Sequence, residues 1–517
     1  MTLAARIVGA GQAPYRRRPD DGTTTESVLT SAALAALADA GLRVADVDGL
    51  GVSSFTLGPD HAIDLAWRLG LRLRWLMQDP DGGASGINLL QHAVRAVEAG
   101  DAATILLVAG DRMTPESFPR LADTYNQFTA EYLAPLPFLG PNSLFAFLAQ
   151  RHMERHGLGR EAYGAVAVSQ RRWAQAHPNA AYRTPLTLAE YLAAPLVAPP
   201  LSRLDCVPIV SGADAIVVAA KGAGVDVRAI ATSVNADGQR GDGLQTGLAD
   251  LSSELWSRAE IDPEDVDLAC VYDDYTVMAL IQLADLGLVA DGDFERFAHE
   301  RLLRDGWPLN PGGGMLSAGQ AGAAGGMLGL VEATRQLTGR ALGRQVCPAR
   351  AAVVTGYGMV AARYGAFANA AVLIAPERGA PRGLAAAPRL PAKPAPAPHA
   401  RDAASLDASA AQIPLGECGA CGQLAFPVPA LCAACASRDL RVVGADDGVL
   451  EHVTRRTDAA GEAVVLGEVR VLGAGGRPIE DGPIVVVRLD GEHALAWRGQ
   501  RLKLARRDDG VNGAAPA

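Results

Sequence analysis

Apolar residues fall along this chain in two rhythms. From Glu26 to Ala40 they recur at helical spacing, which predicts an amphipathic helix. A second helical pattern, Ile87-Asn-Leu-Leu-Gln-His-Ala-Val94, follows a turn of small residues. A third, Gly326–Leu337, follows a glycine-rich run. Between them lie short unbroken apolar runs: Ile7–Gly11, Ala103–Ala109, Ala213–Ala220, Leu268–Tyr272, Ala351–Thr355 and Ala370–Ala375. Runs of that length predict buried strands. Strands alternating with helices argue for α/β layers. Two such series, before and after about residue 225, predict two halves of similar build, residues 1–225 and 226–376, although no sequence repeat stands out.

The pattern breaks at Glu377. Pro381, Pro388, Pro391, Pro394, Pro396 and Pro398 alternate with alanine, so residues 377–412 read as a linker, semi-extended where proline is dense. Two knuckles follow, Cys418-Gly-Ala-Cys421 and Cys432-Ala-Ala-Cys435. Four thiolates at this spacing can close on one tetrahedral ion, and Zn²⁺ suits four soft ligands with no redox role. Residues 413–440 therefore read as a zinc ribbon whose metal is structural, since four protein ligands leave no place for water. The runs Val449–Arg455, Ala463–Leu472, Pro483–Leu489 and Ala494–Trp497, separated by Gly and Asp turns, predict a small β-barrel over 441–507. The tail 508–517 is expected to be disordered.

Composition narrows the class. Apolar residues make up 49% of 517, enough for large cores, and the net charge of −10 argues against a nucleic-acid partner. No apolar run approaches the ~18 residues of a membrane span, and the first residues lack the pattern of a signal peptide. The expectation is a cytoplasmic protein with no membrane association. Clustering of four of the seven cysteines favours metal binding over a disulfide framework.

Four segments carry candidate chemistry. Asp79-Pro-Asp-Gly-Gly-Ala-Ser-Gly86 is a tight small-residue turn feeding an apolar helix. Asn310-Pro-Gly-Gly-Gly-Met-Leu-Ser-Ala-Gly-Gln320 continues to Gly326, and its glycine density permits close backbone approach to a ligand. Cys270-Val-Tyr-Asp-Asp-Tyr275 sits at a strand end, where a tyrosine is more often simply packed. Leu204-Asp-Cys-Val-Pro-Ile-Val-Ser-Gly-Ala-Asp214 enters a strand, with Cys206 read as structural.

In this order the four segments resemble the thiolase superfamily, most closely the sterol-carrier and lipid-transfer-protein type. The resemblance implies a layered αβαβα fold of two similar halves and a homodimer built through residues 1–376. The ribbon and barrel resemble the zinc-ribbon/OB-fold domain that accompanies acyl-CoA enzymes of this superfamily. Departures from the family pattern are specific. Gly83 stands at the nucleophilic cysteine, Gln320 and Tyr272 at histidines, and Tyr357-Gly-Met at the later Cys-x-Gly. Asp273 and Tyr275 match the aspartate and phenylalanine that follow the histidine of the sterol-carrier type.

Without a nucleophile, covalent acyl transfer is lost. A retro-aldol cleavage needs only a proton-transfer group and stabilisation of an enolate oxygen. The chain resembles thiolase-like aldolases of steroid side-chain degradation, a branch of lipid metabolism, which lack the cysteine and use tyrosines. The resemblance implies cleavage of the Cα–Cβ bond of a β-hydroxyacyl-CoA to a ketone or aldehyde and a shorter acyl-CoA, and association with a hydratase. Tyr272 is the candidate for proton transfer, oriented by Asp273, with Tyr275, Gln320 and Tyr357 as further catalytic candidates. Gly83, Ser85, Gly312, Gly313 and Gly314 are the candidates for the thioester pocket. The alternatives are a thiolase or acyltransferase with a rearranged site, and a catalytically silent acyl-CoA scaffold.

Three features are set aside. Gly9-Ala-Gly11 lacks the third glycine of a dinucleotide fingerprint. His152 and His156 are expected on a solvated helix face, and Arg16, Arg17 and Arg18 in solvent or near a phosphate. The basic cluster Arg498, Arg501, Lys503, Arg506 and Arg507 is expected to be solvated, with a CoA phosphate as the alternative.

Overall fold

The computed structural model describes residues 5–136, 140–376, 412–426, 432, 435, 437, 439–457, 463–472, 483–489, 494, 497–506 and 511–516. The proline-rich stretch 377–411 lies outside the described residues. Strands β1 (Arg6–Gln12), β2 (Gly49–Ser53), β3 (Trp75–Gln78), β4 (Thr104–Asp111), β7 (Gly212–Ala219), β8 (Val225–Val234), β9 (Leu268–Cys270), β10 (Ala351–Val360) and β11 (Gly365–Ile374) join in the order β3-β2-β4-β7-β1-β8-β11-β10-β9. A short separate hairpin is made by β5 (Leu196–Ala198) and β6 (Leu201–Ser202).

That order contains the duplication that the sequence only suggested. Strand β7 runs antiparallel to both β1 and β4, and β2 runs parallel to β4. In the second half β11 runs antiparallel to both β8 and β10, and β9 runs parallel to β10. The halves meet where Arg6 and Ile7 pair with Asp226 and Val225.

Each half also has a one-turn 3-10 helix leading into a long helix. Gly82–Ala84 precedes Ser85–Ala99, and Gly322–Ala324 precedes Gly325–Leu337. Both turns begin on a glycine of positive φ, +53° at Gly82 and +57° at Gly322, where an L side chain is strained. The two long helices approach closely at Gly86 and Gly326. A Cβ on Gly86 would lie 1.9 Å from the Gly326 carbonyl oxygen, so no larger residue fits. Around this approach Ile87, Leu90, Val94, Met327, Leu330 and Val331 form a fully buried central layer. On the outer face, the helix Thr25–Ala40 lies against β1. There the absent side chains of Gly9 and Gly11 make room for Ala36, which accounts for the glycine pair at the N-terminus.

After residue 411 come three strands, β12 (Ile413–Cys418), β13 (Leu424–Ala425) and β14 (Leu440–Ala445), ordered β13-β12-β14. A closed barrel then joins β15 (Asp447–Thr457), β16 (Ala463–Val471), β17 (Ile484–Leu489), β18 (Arg501–Arg506) and β19 (Asn512–Pro516) in the order β15-β16-β17-β19-β18. Two expectations need correction here. Trp497 belongs to a turn before β18 rather than to a strand. The tail is not simply disordered: Asn512–Pro516 pairs with both β17 and β18 and closes the barrel. Its Gly, Ala and Pro residues carry little strand propensity, so the sequence conceals it.

The barrel docks on the helix Asn142–His156. Arg151 forms an ion pair with Glu468, which is 1% exposed, and Gln150 donates to the Val453 carbonyl at 2.8 Å. Burial pushes the Glu468 carboxyl up, but Arg151 and His452 outweigh it and bring it down to about 2. Arg498 pairs with Glu154, and Arg501 and Lys503 pair with Asp447, so these basic residues are engaged rather than merely solvated. Arg507 lies outside the described residues. His152 is a further correction. It is fully buried, its Nδ1 lies 2.7 Å from the Tyr163 hydroxyl, and burial followed by the charge of His156 lowers it to about 3. Arg16, Arg17 and Arg18 are exposed. Among the described residues no helix is long and apolar enough to cross a membrane.

Candidate active site

A cavity of about 250 Å³ opens where the Gly82–Ala84 turn, the segment after β9 and the end of β10 converge. Its wall contains Gly83, Tyr125, Asn142, Tyr272, Asp274, Tyr275, Gln320, Tyr357 and Gly358. The rest is largely apolar, including Phe55, Phe118, Leu121, Phe145, Val207, Ile209 and Val360.

Tyr272 is rigidly placed. Its backbone N–H donates to Thr355 Oγ1 at 2.9 Å, its carbonyl accepts from Gln282 Nε2 at 2.6 Å, and Thr355 donates to Gln282 Oε1 at 2.6 Å. The ring then fills the place a side chain at position 83 would need. A Cβ built on Gly83 would lie 2.3 Å from Tyr272 Cζ and 2.1 Å from the Tyr357 carbonyl oxygen. Glycine at 83 and tyrosine at 272 are thus one steric unit. Gln320 Nε2 donates to the Tyr272 hydroxyl at 3.0 Å. Burial and the charge of Asp274 raise the Tyr272 pKa well above that of a free tyrosine, and the Gln320 hydrogen bond opposes them.

Asp274 is the residue that sequence reading passed over. It is partly accessible from the cavity, yet its Oδ1 is shielded from solvent and has no hydrogen-bond partner among the described residues. Burial, then the neighbouring Asp273 charge, raises its carboxyl well above the usual range. A carboxyl in a cavity with one oxygen unsatisfied and a raised proton affinity is a functional signature. The tandem Asp273-Asp274 was the only sequence signal, and it does not say which carboxyl faces the cavity.

Asp273 faces away from it. Its oxygens accept from the N–H groups of Met315, at 2.9 Å, and Leu316, at 3.2 Å. Burial raises its pKa to about 7, against these hydrogen bonds. It anchors the short helix Gly314–Ala318 and makes no hydrogen bond to the Tyr272 hydroxyl among those described. The glycine loop belongs to the same anchor. A Cβ on Gly314 would strike Asp273 Oδ2 at 2.2 Å, and one on Gly313 would lie 2.6 Å from the Ala174 Cβ. Gly312 and Gly314 border a recess of about 20 Å³ behind Tyr272, so the structure separates the 312–314 loop from the main cavity.

Ser85 also points elsewhere, donating to Asp79 Oδ1 at 2.5 Å. Tyr357 accepts a 2.6 Å hydrogen bond from the Gly365 N–H, and its ring centroid lies 6.5 Å from that of Tyr272. Tyr275 donates to Asn142 Oδ1 at 2.8 Å and stacks on Phe145 at 4.2 Å. Tyr272 and Tyr275 share the cavity wall because β9 ends at Cys270, so strand alternation no longer separates them. Cys206 lines the cavity as well. Its thiol donates to the Ser202 carbonyl at 3.6 Å, and no histidine is among the described lining residues.

The four C-terminal cysteines converge. Their sulfurs all lie within 4.8 Å of one another, with Cys418–Cys435 at 3.6 Å and Cys421–Cys432 at 3.5 Å. A tetrahedron with metal–sulfur bonds of ~2.3 Å has edges near ~3.8 Å, so this set fits a single ion and is too open for disulfides.

Comparison with known proteins agrees with this architecture. The family description "Thiolase C-terminal domain-like" matches residues 229–371. The 17-hydroxy-3-oxo-4-pregnene-20-carboxyl-CoA lyase of Mycobacterium tuberculosis is 30% identical over 364 residues, 65% of this chain and 92% of that protein. The solved Ltp2-ChsH2(DUF35) aldolase is 26% identical with a TM-score of 0.60, over 72% of this chain and 99% of that one. A monomeric SCP2-thiolase like protein type 1 from Mycobacterium smegmatis matches in fold over the whole of both chains, with a TM-score of 0.69 at 16% identity. Given that similarity over most of the first relative's length, and an active-site turn closed to a cysteine, this chain belongs to the thiolase superfamily as one of its thiolase-like aldolases, a carbon–carbon lyase joined to a four-cysteine ribbon and barrel.

Proposed function

We propose that the protein cleaves the Cα–Cβ bond of a β-hydroxyacyl-CoA that carries a bulky apolar β substituent. The observation that carries this reading is the cavity shared by the Asp274 carboxyl, whose Oδ1 has no partner among the described residues, and the hydroxyl of Tyr272, in the room closed to a nucleophile at Gly83. Asp274, as its carboxylate, takes the proton of the β-hydroxyl. The C–O bond becomes a carbonyl, the Cα–Cβ bond breaks, and its electron pair enters the thioester as an enolate. The Tyr272 hydroxyl then gives a proton to Cα, and the proton taken up by Asp274 passes to the Tyr272 oxygen by exchange through solvent, which restores both groups. Because the Tyr272 oxygen accepts from Gln320, its own proton is available to the substrate. Gly83 and Gly358 leave backbone bare in the cavity wall, where peptide dipoles can stabilise the enolate oxygen.

The apolar wall supports a large hydrophobic β substituent, in keeping with the steroid thioester in the name of the Mycobacterium tuberculosis relative. The four-cysteine site is assigned to one structural Zn²⁺. A homodimer, association with a hydratase and a cytoplasmic location complete the reading. The test is product analysis with a panel of β-hydroxyacyl-CoA thioesters. Ketone or aldehyde and a shortened acyl-CoA in equal amounts support it. Acyl exchange between thioesters without carbon–carbon cleavage, or a mass adduct on Cys206, would replace it with acyl transfer.

A further inference from the structure

Tyr125 lines the active-site cavity with Asp274 and Tyr272, yet makes no hydrogen bond to either among those described. It comes from the segment after the short helix Phe118–Asp123, outside the large sheet. Asn126 ties that segment to the end of β10. Its Nδ2 donates to the Val360 carbonyl at 2.5 Å, and its Oδ1 accepts from the Thr129 N–H at 2.9 Å. The Tyr125 ring packs edge-on against Phe55, with centroids 5.7 Å apart. The hydroxyl then donates to Met359 Sδ at 3.2 Å. A thioether is a weak acceptor, so this proton is free to turn to a better one. Met359 itself holds a φ of +53°, in the left-handed region that favours glycine. Backbone strain of this kind collects at sites that hold a ligand.

The same hydroxyl lies against the turn that carries Gly83. A Cβ on Gly82 would be 3.2 Å from the Tyr125 oxygen, and a Cβ on Gly358 would be 3.0 Å from the Gly83 nitrogen. Tyr125 therefore touches the neighbour of each bare stretch of backbone, Gly82 beside Gly83 and Met359 beside Gly358. Burial, against a hydrogen bond from the Met359 backbone, and then the charges of Asp274 and Asp81 raise the phenol above its ordinary pKa, so it stays a donor through neutral pH. We propose that the Tyr125 hydroxyl donates to the thioester oxygen as that atom becomes the enolate oxygen, adding a side-chain donor to the backbone at Gly83 and Gly358. The inference rests on the cleavage reading above and adds a catalytic residue to it. A hydrogen bond that passes from a thioether to a developing oxyanion strengthens only as the reaction proceeds, so it lowers the barrier and leaves KM unchanged.

The same enolate forms from a plain acyl-CoA when the last step runs backwards and the Tyr272 oxygen takes a proton from Cα. The test therefore has two readouts on the full-length protein: cleavage of the β-hydroxyacyl-CoA panel, and deuterium uptake at Cα of acetyl-CoA and propionyl-CoA in D₂O. Tyr125→Phe keeps the ring against Phe55 and gives up only the bond to a thioether, so it should fold with the Tm of the parent. Loss of one oxyanion donor should slow both cleavage and exchange by about 10²–10³, with KM unchanged. Parent rates in Tyr125→Phe, or a loss that appears in KM or Tm with kcat preserved, would overturn the proposal. Exchange that depends on Tyr125 in a protein that cleaves no thioester would keep the donor and remove the cleavage reading. Cleavage at the parent rate in Tyr125→Phe would keep the cleavage reading and remove the donor, and a parent that neither cleaves nor exchanges would remove both.

Discussion

Gln320 and Tyr272 are joined by a 3.0 Å hydrogen bond that runs from the amide nitrogen to the phenol oxygen. The direction matters, because a donor to the phenol oxygen favours the form that has given up its proton. Replacing Tyr272 with Phe removes the proton but keeps the packing, so kcat should fall by about 10²–10⁴ with little change in Tm. Gln320→Leu should cost less, about tenfold, and move the basic limb of the pH–rate profile upward. Full activity in Tyr272→Phe would exclude the assignment.

Asp274→Asn should lower kcat by at least about 10² and change the pH dependence of stability in a defined direction. The folded carboxyl holds its proton well above the usual range. Above pH ~4 the unfolded chain has released that proton, so the folded state binds more protons and stability falls as pH rises. The variant lacks this loss. Its Tm should gain on the parent as pH rises from about 4 until the folded carboxyl ionises, and thermal melts across pH will show whether it does.

Gly83→Cys should not restore a thiolase. The new Cβ would overlap the Tyr272 ring, and overpacking of this kind costs about 1–3 kcal/mol. The expected result is a lower Tm, weakened cleavage and no acyl-enzyme adduct on incubation with acyl-CoA. An adduct on the introduced thiol, detected by mass spectrometry, would mean that the ring moves aside.

Much of the α/β part could be read from the sequence because most of its strands are continuous apolar runs in the buried middle of the sheet. The absence at Gly83 could be read for the same local reason: a turn of small residues feeding an apolar helix. What one sequence could not disclose was orientation. Asp273 and Asp274 are adjacent and chemically identical, yet one anchors the Gly314–Ala318 helix and the other faces the cavity. The glycines at 312–314 looked like ligand contacts, but their space is occupied by Asp273, Glu332 and Ala174. Phe426 reaches Phe128 and Tyr132 only through docking of a separate domain, which no local pattern encodes.

One equivalent of zinc per chain is expected on Cys418, Cys421, Cys432 and Cys435, measured by elemental analysis of protein purified without added metal. Cys418→Ser should lower metal content and destabilise the ribbon, since metal affinity and folding are coupled in such sites. A metal-free protein with an intact ribbon would refute the assignment.

Strand β3 is an edge of the large sheet, with Leu76 43% exposed, and Trp67 and Ile63 on the preceding helix are 78% and 63% exposed. An edge left unpaired among the described residues, with large apolar neighbours, is suited to pairing with a second copy. Light scattering should give a dimer that Leu76→Arg converts to a folded monomer; a parent protein that stays monomeric at all concentrations would exclude it.

The pairing of Arg151 with Glu468 acquires another meaning from the continuity of the chain. Two domains on one polypeptide meet as a unimolecular event, at an effective concentration set by the intervening segment rather than by expression level. Their association is therefore insensitive to dilution, and every catalytic fold is matched by one barrel. An assembly of separate chains has to reach that stoichiometry by mass action, whereas here it is written into the gene.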